Sequence, residues 1–424
     1  MNRKRIYQWI GLCLLAGMGL QAQTVYRTAI YTNQIKSLLV KAEGELISAP
    51  HIELNGLRAL EVTFDALNHI QGRYAYSLIH CDADWKKSML SPIEYMDGFQ
   101  GMSIDDAAQA INTTTHYTNY RLLLPNDNIR FKVSGNYALL VYEEDRPDKI
   151  VFSARFAVYE PLVGIEAKVS GNTDLTFHKM HQQVGFQLLT KNVSIPYPQT
   201  DLKIHVYQNN RPDNVATHLQ PSSISGNRLT YEHIPELIFE AGNEYRRIEF
   251  LTHRYNGMNI DHIRYFNPYY HADVTIDRSR TQQPYLYDQD QNGRFFVRCS
   301  GCQEPDTEAD YYIVHFTYAS DEMRNGNLYL LGDLFQNLLD ENSLMEYNTE
   351  NGQYEKAVLL KQGYYNYQYV FRPEGETQGQ LSGTEGSFYQ TENEYAILVY
   401  YRPMGARYDR LIGIATVRNA QEVL

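Results

Sequence analysis

The chain has 424 residues, of which 50 are acidic and 38 are basic, so its formal net charge is −12. An acidic surface repels polyanions, which argues against nucleic acid and anionic lipid as partners. A chain of this length exceeds what one hydrophobic core usually organises, so two or three domains are expected.

The N-terminus has the pattern of a cleavable signal peptide. Arg3, Lys4 and Arg5 precede an apolar run over residues 10–20, and the small residue Ala22 follows that run. The run is too short to span a bilayer well, and no later stretch approaches the roughly 20 apolar residues that a spanning helix needs. We therefore predict that residues 1–22 are removed on export and that the mature chain does not span a membrane.

Alternation of apolar and polar residues with period two dominates the chain and predicts β-strands nearly everywhere. Residues 60–65 and 129–134 have the pattern of half-buried strands. Residues 137–142 and 150–159 are apolar on both faces, as expected of central strands that are covered on each side. One short helix is predicted at residues 104–110.

Domain boundaries are predicted where the strand pattern restarts. Pro161 follows a strand, so a first β-sandwich domain is predicted over residues 23–160. Short strands separated by turn clusters predict an immunoglobulin-like sandwich over residues 161–293. After a polar loop, a third sandwich is predicted over residues 294–424. The predicted fold class is all-β, with three consecutive β-sandwich domains.

Tyrosine is unusually frequent, at 36 residues. Tyrosine favours strands and suits half-buried positions where the ring is covered and the hydroxyl stays wet. The tyrosines are therefore expected at half-buried or interface positions.

Two cysteines stand three residues apart, at Cys299 and Cys302. In an oxidising compartment the two cysteines could form a local disulfide or remain free thiols, and the sequence does not decide between these states. A redox-active dithiol would normally open a helix in a βαβ unit, but this pair follows a strand. A zinc site would need two further ligands at matching spacing, and the sequence offers none.

The most chemically loaded stretch is residues 80–85, which contains His80, Cys81, Asp82, Asp84 and Trp85. It invites a catalytic or metal-binding interpretation. Neighbouring side chains on an extended strand point to opposite faces, however, so His80 cannot readily activate Cys81. A strand that ends in an aspartate-rich turn, with Trp85 covering the end of the core, explains the same residues, and we favour it.

Residues 288–293 match the first half of a calcium loop, with oxygen-bearing side chains at positions one, three and five and glycine at position six. Position twelve, where a bidentate glutamate is needed, is Cys299. A turn in which Asn292 and Gly293 adopt positive φ explains the pattern without a metal. We predict no metal and no cofactor.

Several stretches together resemble the plug protein family of the Bacteroidetes type IX secretion system, over nearly the whole mature length. They are residues 80–85 with 95–99, residues 112–120, residues 124–126 with 134–137, residues 207–209, residues 242–246, and residues 290–293 with 306–311. The third unit is similar to the early-set sandwich of glycogen-binding modules at residues 327–333, 352–354 and 360–367. It has no tryptophan to stack on a sugar, which leaves Phe335 and several tyrosines as substitutes.

The resemblance implies a non-enzymatic protein in the periplasm, at the periplasmic face of the outer membrane. Its expected partner is the large translocon β-barrel of the secretion system, whose periplasmic opening it would seal, and no small-molecule substrate is expected. The alternative is a carbohydrate-binding protein that uses the third unit. The candidate partner-contact or structural residues are His80, Asp82, Asp84, Trp85, Tyr95, Tyr117 and Tyr120.

Overall fold

The computed structural model describes residues 24–67 and 71–419, so the predicted signal peptide lies outside the described residues. Strands provide nearly all of the regular structure, and the all-β prediction is confirmed. The described helices are single turns that each begin with proline, whose fixed φ suits the first helical position. They are α1 (Pro92–Tyr95), α2 (Pro198–Asp201) and α3 (Pro305–Glu308), with 3-10 turns at Pro235–Leu237 and Asp333–Phe335.

The first core is a sandwich of two sheets. Its strands are β1 (Ala29–Ile30), β2 (Ile35–Ala42), β3 (His51–Glu53), β4 (Leu60–Ala66), β5 (Tyr74–Cys81), β6 (Met96–Asp97), β7 (Met102–Ser103), β8 (Ala107–Gln109), β9 (Thr118–Leu124), β10 (Arg130–Phe131), β11 (Gly135–Glu143) and β12 (Arg146–Tyr159). One sheet has the order β1-β12-β11-β5-β7, with β3 parallel to β12, and the other has the order β2-β4-β9-β8. Apolar side chains from both sheets meet between them, as the patterns at 137–142 and 150–159 predict.

The helix predicted at residues 104–110 is wrong. Residues 107–109 form strand β8, which pairs with β9 at the edge of its sheet. The segment is too short for helical propensity to outweigh the hydrogen bonds that this edge offers.

The second core begins after residue 160. Its first strands are β13 (Gly164–Ser170), β14 (His181–Leu189), β15 (Leu202–Gln208), β16 (Val215–Ala216), β17 (Ser223–Ser225), β18 (Arg228–Tyr231) and β19 (Ile238–Glu240). One sheet contains β13, β14, β17, β18 and β19. The facing sheet begins with β16 and β15 and is completed by strands from much later in the chain.

The third core lies, in sequence, between the two parts of the second. Its strands are β20 (Arg246–Phe250), β21 (Ile260–Phe266), β22 (Tyr269–Val274), β23 (Asp277–Arg278), β24 (Phe295–Val297), β25 (Tyr311–Ala319), β26 (Gly326–Leu331), β27 (Glu346–Asn348), β28 (Gln353–Lys361) and β29 (Gly363–Pro373). They form a sheet around β29 and a six-stranded sheet with the path β21-β22-β25-β28-β27, in which β23 also pairs with β25.

The last two strands return to the second core. They are β30 (Glu394–Tyr401) and β31 (Arg410–Arg418), and β30 pairs with β15 from Leu202↔Tyr401 to Gln208↔Tyr395. The observed arrangement differs from the boundary predicted between residues 293 and 294. Strands β20 to β23 precede that boundary but pair within the third core, and β30 and β31 follow it but pair within the second. The three sandwiches are therefore not consecutive in sequence.

Candidate functional site

A small apolar cluster joins the first core to the second, and we call this contact the first–second seam. Its buried members are Ala83, Ala157, Leu398, Tyr400 and Leu411. Beside it, the Asn136 amide donates to the carbonyl of Asp82 at 3.0 Å and accepts from the Tyr400 hydroxyl at 2.9 Å. The cluster excludes water, and the paired amide fixes the register of the two cores.

A fully buried carboxylate, Asp409, lies at the same seam. Its Oδ2 accepts the backbone N–H of Ala83 at 2.9 Å and lies 3.2 Å from Nζ of Lys203. A buried charge is costly unless it is paired, so these partners explain why the carboxylate is tolerated between two sandwiches.

His80 is buried next to this seam. Its Nε2 lies 3.2 Å from the carbonyl oxygen of Ser134, which can only accept, so Nε2 carries the proton and Nδ1 accepts from the Ser88 hydroxyl at 2.8 Å. Burial lowers the pKa of His80 to about 4, which keeps the ring neutral. Gly135 is required beside it, because its φ is +139° and a Cβ there would lie 2.5 Å from Nε2.

The contact between the first and third cores is ionic, and we call it the first–third seam. Nζ of Lys361 lies 2.6 Å from Oδ2 of Asp65, and both side chains are essentially fully buried. The Tyr311 hydroxyl donates to the same oxygen at 2.6 Å, and the Asn119 amide donates to Oδ1 at 2.8 Å. Three donors on one carboxylate reduce the cost of burying its charge, but burial still outweighs them and raises the pKa of Asp65.

Loop residues extend the first–third seam. The backbone N–H and the hydroxyl of Thr114 both donate to Oδ2 of Asp310, at 2.9 and 2.7 Å. The Tyr117 hydroxyl donates to the carbonyl of Ala309 at 2.8 Å, and Nζ of Lys361 lies 4.2 Å from the centre of the Tyr117 ring. The seam is therefore a continuous polar network around one buried ion pair.

An ion pair also joins the second and third cores. Glu394, at the start of β30, accepts from Arg294, just before β24, at 2.5 Å, and within the second core it pairs with its strand neighbour Arg418 at 3.0 Å. Each of the three cores thus contacts both of the others through specific buried groups.

A cavity of about 150 Å³ lies where the three cores meet, and we call it the junction cavity. The first core contributes Arg27, Trp85 and Arg155 to its wall, the second contributes Leu398, and the third contributes Phe295. The guanidinium carbon of Arg155 lies 4.5 Å from the centre of the Trp85 ring.

Three exposed apolar side chains lie on two loops that Arg407 links at the first–second seam, and we call them the loop patch. It consists of Met89, Ile93 and Met404, of which Met404 is 95% exposed. Arg407 ties the two loops together, because its guanidinium donates to the carbonyl of Met89 at 2.7 Å and pairs with Glu94. Exposed apolar groups held together in this way are typical of protein-binding surfaces.

The structure of a hypothetical protein from Parabacteroides merdae is similar to this chain over nearly its whole length. The two share 60% sequence identity and a TM-score of 0.93, and the match covers 94% of this chain and 100% of the other. The sequence model of the type 9 secretion system plug protein 1st domain matches residues 35–160. The chain belongs to the type 9 secretion system plug protein family. Plug proteins are components of a secretion system and are not a class of enzymes.

Two further comparisons add nothing to the family assignment. The partial N-terminal region of an enterococcal surface protein shares 8% identity over 94% of this chain and 96% of its own, with a TM-score of 0.19, and carries no argument. No curated protein matches the chain.

The plug-family match contains the whole stretch 80–85, which the structure places at the first–second seam. Cys81 is a buried free thiol, and burial raises its pKa to about 12, so it is a poor nucleophile. Oδ1 of Asp82 accepts the backbone N–H groups of Asp84 and Lys86, which makes the predicted turn. Trp85 does not cover the end of the first core but reaches across the seam, where Nε1 lies 3.4 Å from the Tyr207 hydroxyl.

The three tyrosines predicted as contact or structural residues are all buried. Tyr95 and Tyr120 lie in the first core, where their hydroxyls donate to the carbonyls of Leu78 and Gly72. Tyr117 lies at the first–third seam. The largest fully buried side chains of the described chain are tyrosines, among them Tyr137, Tyr231, Tyr311, Tyr367 and Tyr395. Many of the tyrosines therefore serve the interior and the seams. Others, such as Tyr31, Tyr197, Tyr255 and Tyr265, are more than half exposed, and a tyrosine-rich contact with another protein stays a prediction.

Other candidate sites have structural partners. Cys299 and Cys302 form a disulfide with 5.6 Å between their Cα atoms. In the suspected calcium loop, Asp288 pairs with Arg247, and Oδ1 of Asp290 accepts the backbone N–H of Asn292 at 2.7 Å. Phe335, the suggested sugar platform, packs in the third core. Across residues 24–67 and 71–419, His, Cys, Asp and Glu side chains do not gather in groups of three that could hold a metal.

The groups that hold the seams together were not found from the sequence. Asp65, Asn136 and Asp409 are each polar residues in or beside strands, and nothing local distinguishes them from solvent-facing residues. Lys361 offered the one usable signal, since it is a lone cation that follows the apolar pair Leu359 and Leu360.

None of the described helices has the length and apolar character to cross a membrane.

Proposed function

We propose that the protein is a non-enzymatic periplasmic subunit that seals the periplasmic opening of the outer-membrane translocon barrel of the type IX secretion system. Membership of the plug family carries this proposal. A seal must resist deformation while it blocks a wide opening. Three sandwiches joined pairwise by buried contacts suit that task better than modules on flexible linkers, since linked modules move independently by default.

The loop patch is the surface that we propose for attachment to the barrel. Met89, Ile93 and Met404 are exposed, apolar and fixed relative to each other by Arg407. Methionine and aliphatic side chains adapt to a partner surface, and a patch surrounded by charged residues allows reversible docking. The acidic remainder of the surface would disfavour non-specific adhesion to anionic membrane lipid.

The proposal is tested by purification of the tagged protein from membranes in mild detergent. We expect a very large outer-membrane barrel to purify with the wild type. The double variant Ile93→Lys, Met404→Lys should capture at least about tenfold less barrel, because docking would bury the two new lysine charges and remove them from water. Leu57→Lys is the matched control, since Leu57 is fully exposed and lies outside the patch.

Outer-membrane permeability supplies a second measurement. Deletion of the gene should admit a large polar antibiotic that the wild type excludes, and the double patch variant should reproduce part of that defect. If no barrel purifies with the wild type and deletion of the gene leaves permeability unchanged, the sealing role is rejected. Normal capture of the patch variant would reject the loop patch alone.

A further inference from the structure

The junction cavity carries a positive charge that the protein does not neutralise. In the part of the chain that the structure describes, Nε of Arg155 donates to the carbonyl of Tyr26, and no hydrogen bond or ion pair engages the two terminal nitrogens. Arg27 also lines the cavity, and its positive charge repels that of Arg155. Burial lowers the pKa of Arg155 to about 10, so it stays charged at neutral pH.

The acids around the cavity have other partners. Glu394 is shared between Arg294 and Arg418. Oδ1 of Asp333 accepts from the Asn337 amide at 2.5 Å, and burial raises the pKa of Asp333 to about 6. Among the described residues of this otherwise acidic protein, the Arg155 guanidinium thus has no acidic partner at the meeting point of the cores, and the exposed Arg27 lies nearby. A negatively charged group beside Arg155 would pair with it and offset its repulsion by Arg27.

The rest of the wall is mostly apolar. Leu38, Phe295 and Leu398 are buried core residues that also face the cavity, and the Trp85 ring backs Arg155. A cavity of about 150 Å³ accommodates a molecule the size of benzene. Residues 46–50 form one side, and Leu46 among them is exposed, so the site has an entrance from solvent.

We propose that the junction cavity binds an apolar group that ends in a carboxylate. The apolar part lies against Phe295 and Leu398, and the carboxylate accepts hydrogen bonds from the free nitrogens of Arg155 in the paired geometry that guanidinium favours. The same chemistry occurs in a small organic acid and in the C-terminal residue of a polypeptide. This site goes beyond the sealing role, which needs no ligand.

Trp85 provides a local measurement. In the exported protein the predicted cleavage removes Trp9, which leaves Trp85 as the single tryptophan. We expect saturable quenching of its fluorescence by 3-phenylpropanoate and at least about tenfold weaker binding of 3-phenylpropanamide, which has the same shape without the charge. N-acetyl-Gly-Gly-Phe with a free or an amidated C-terminus tests the polypeptide source. Tighter binding of the free peptide acid than of the small acid assigns the site to a chain end, and the reverse assigns it to a small molecule.

Arg155→Gln should weaken binding of the preferred acid at least about tenfold. Arg298→Gln, on the surface of the third core, is the matched control and should leave binding unchanged. If Arg155→Gln fails to fold, Ala49→Phe fills the cavity from its loop without altering a strand and should abolish binding. The proposal is overturned if no acid binds to the folded wild type, if acid and amide bind equally, or if the folded variants bind as the wild type does.

Discussion

The two seams of the first core differ in the contacts that cross them. The first–second seam is crossed by an apolar cluster, by the Asn136 amide and by the Ala83 N–H that donates to Asp409, whereas the first–third seam is crossed by the buried ion pair of Asp65 and Lys361. An apolar seam loses stability in proportion to the area that a substitution exposes. A buried ion pair behaves differently, because loss of one partner leaves the other charge buried and unpaired. The first–third seam is therefore specific but fragile.

The largest effect is expected from Lys361→Met, which leaves Asp65 buried without its cation. We expect a loss of about 3–5 kcal/mol in the free energy of unfolding, measured by urea denaturation. The double variant Asp65→Asn, Lys361→Met should recover most of that loss, since neither charge remains. Arg298→Met removes an exposed ion pair with Glu249 and should cost no more than about 1 kcal/mol. A cost for Lys361→Met as small as that of Arg298→Met would mean that the buried pair contributes no more than an exposed one, which contradicts the fragility argued for the first–third seam.

A fall in pH should destabilise the first–second seam through His205. This residue is buried against Tyr400, and its Nε2 lies 3.7 Å from Oδ1 of Asp84. Burial lowers its pKa from 6.5 to about 4, so the unfolded chain takes up a proton that the folded chain refuses. Its contribution is complete above pH 6.5 and is lost as the pH falls toward 4. Between pH 7.5 and 5 the loss is about 2 kcal/mol.

Two buried carboxyls act in the opposite direction over the same range. Burial raises the pKa of Asp290 to about 7 and that of Asp333 to about 6, so both favour the folded state as the pH falls. The quantity to measure is therefore the difference in unfolding free energy between His205→Gln and the wild type. That difference should shrink by about 2 kcal/mol from pH 7.5 to pH 5, and a constant difference would show that His205 titrates normally.

The smallest effect is expected from Tyr400→Phe, which removes only the hydroxyl that donates to Asn136. The apolar cluster remains, so we expect a loss of about 1 kcal/mol in urea denaturation. Tyr31→Phe removes an equivalent hydroxyl contact to Ser153 from a ring that is half exposed, and it should cost less. A loss of several kcal/mol for Tyr400→Phe would place the strength of the first–second seam in its polar contact rather than in its apolar cluster.

Strand β4 shows what the sequence could predict and what it could not. Its alternation predicts a strand, which is confirmed, and also predicts one solvent-facing side. All seven residues are buried, including Glu61 and Asp65 on the polar side. Periodicity reports which face is polar but not whether water or another core covers it. Buried charges at a seam therefore have the same pattern as solvated charges.

The interleaving of the second and third cores could not be predicted from the sequence either. Strand β30 has an apolar pattern that any neighbouring strand could satisfy, and its pairing with β15 depends on the geometry of the whole intervening core. The family resemblance was carried by residues 80–85 and similar stretches, and membership is confirmed. The structural role of those residues became visible only with their partners, such as Asp409 and Tyr207, which lie far away in sequence.

The return of the chain to β15 sets an order of events during biogenesis. Strand β30 sits between β15 and β31 in its sheet, so the edge of β15 that faces β30 stays unpaired until everything before residue 394 has been synthesised. A ribosome that stops early, or a protease that cuts ahead of residue 394, would release a chain with that edge open and with Leu398, Tyr400 and Leu411 missing. Open edges recruit strands from other molecules, so nascent fragments of this protein should aggregate rather than persist as smaller working units.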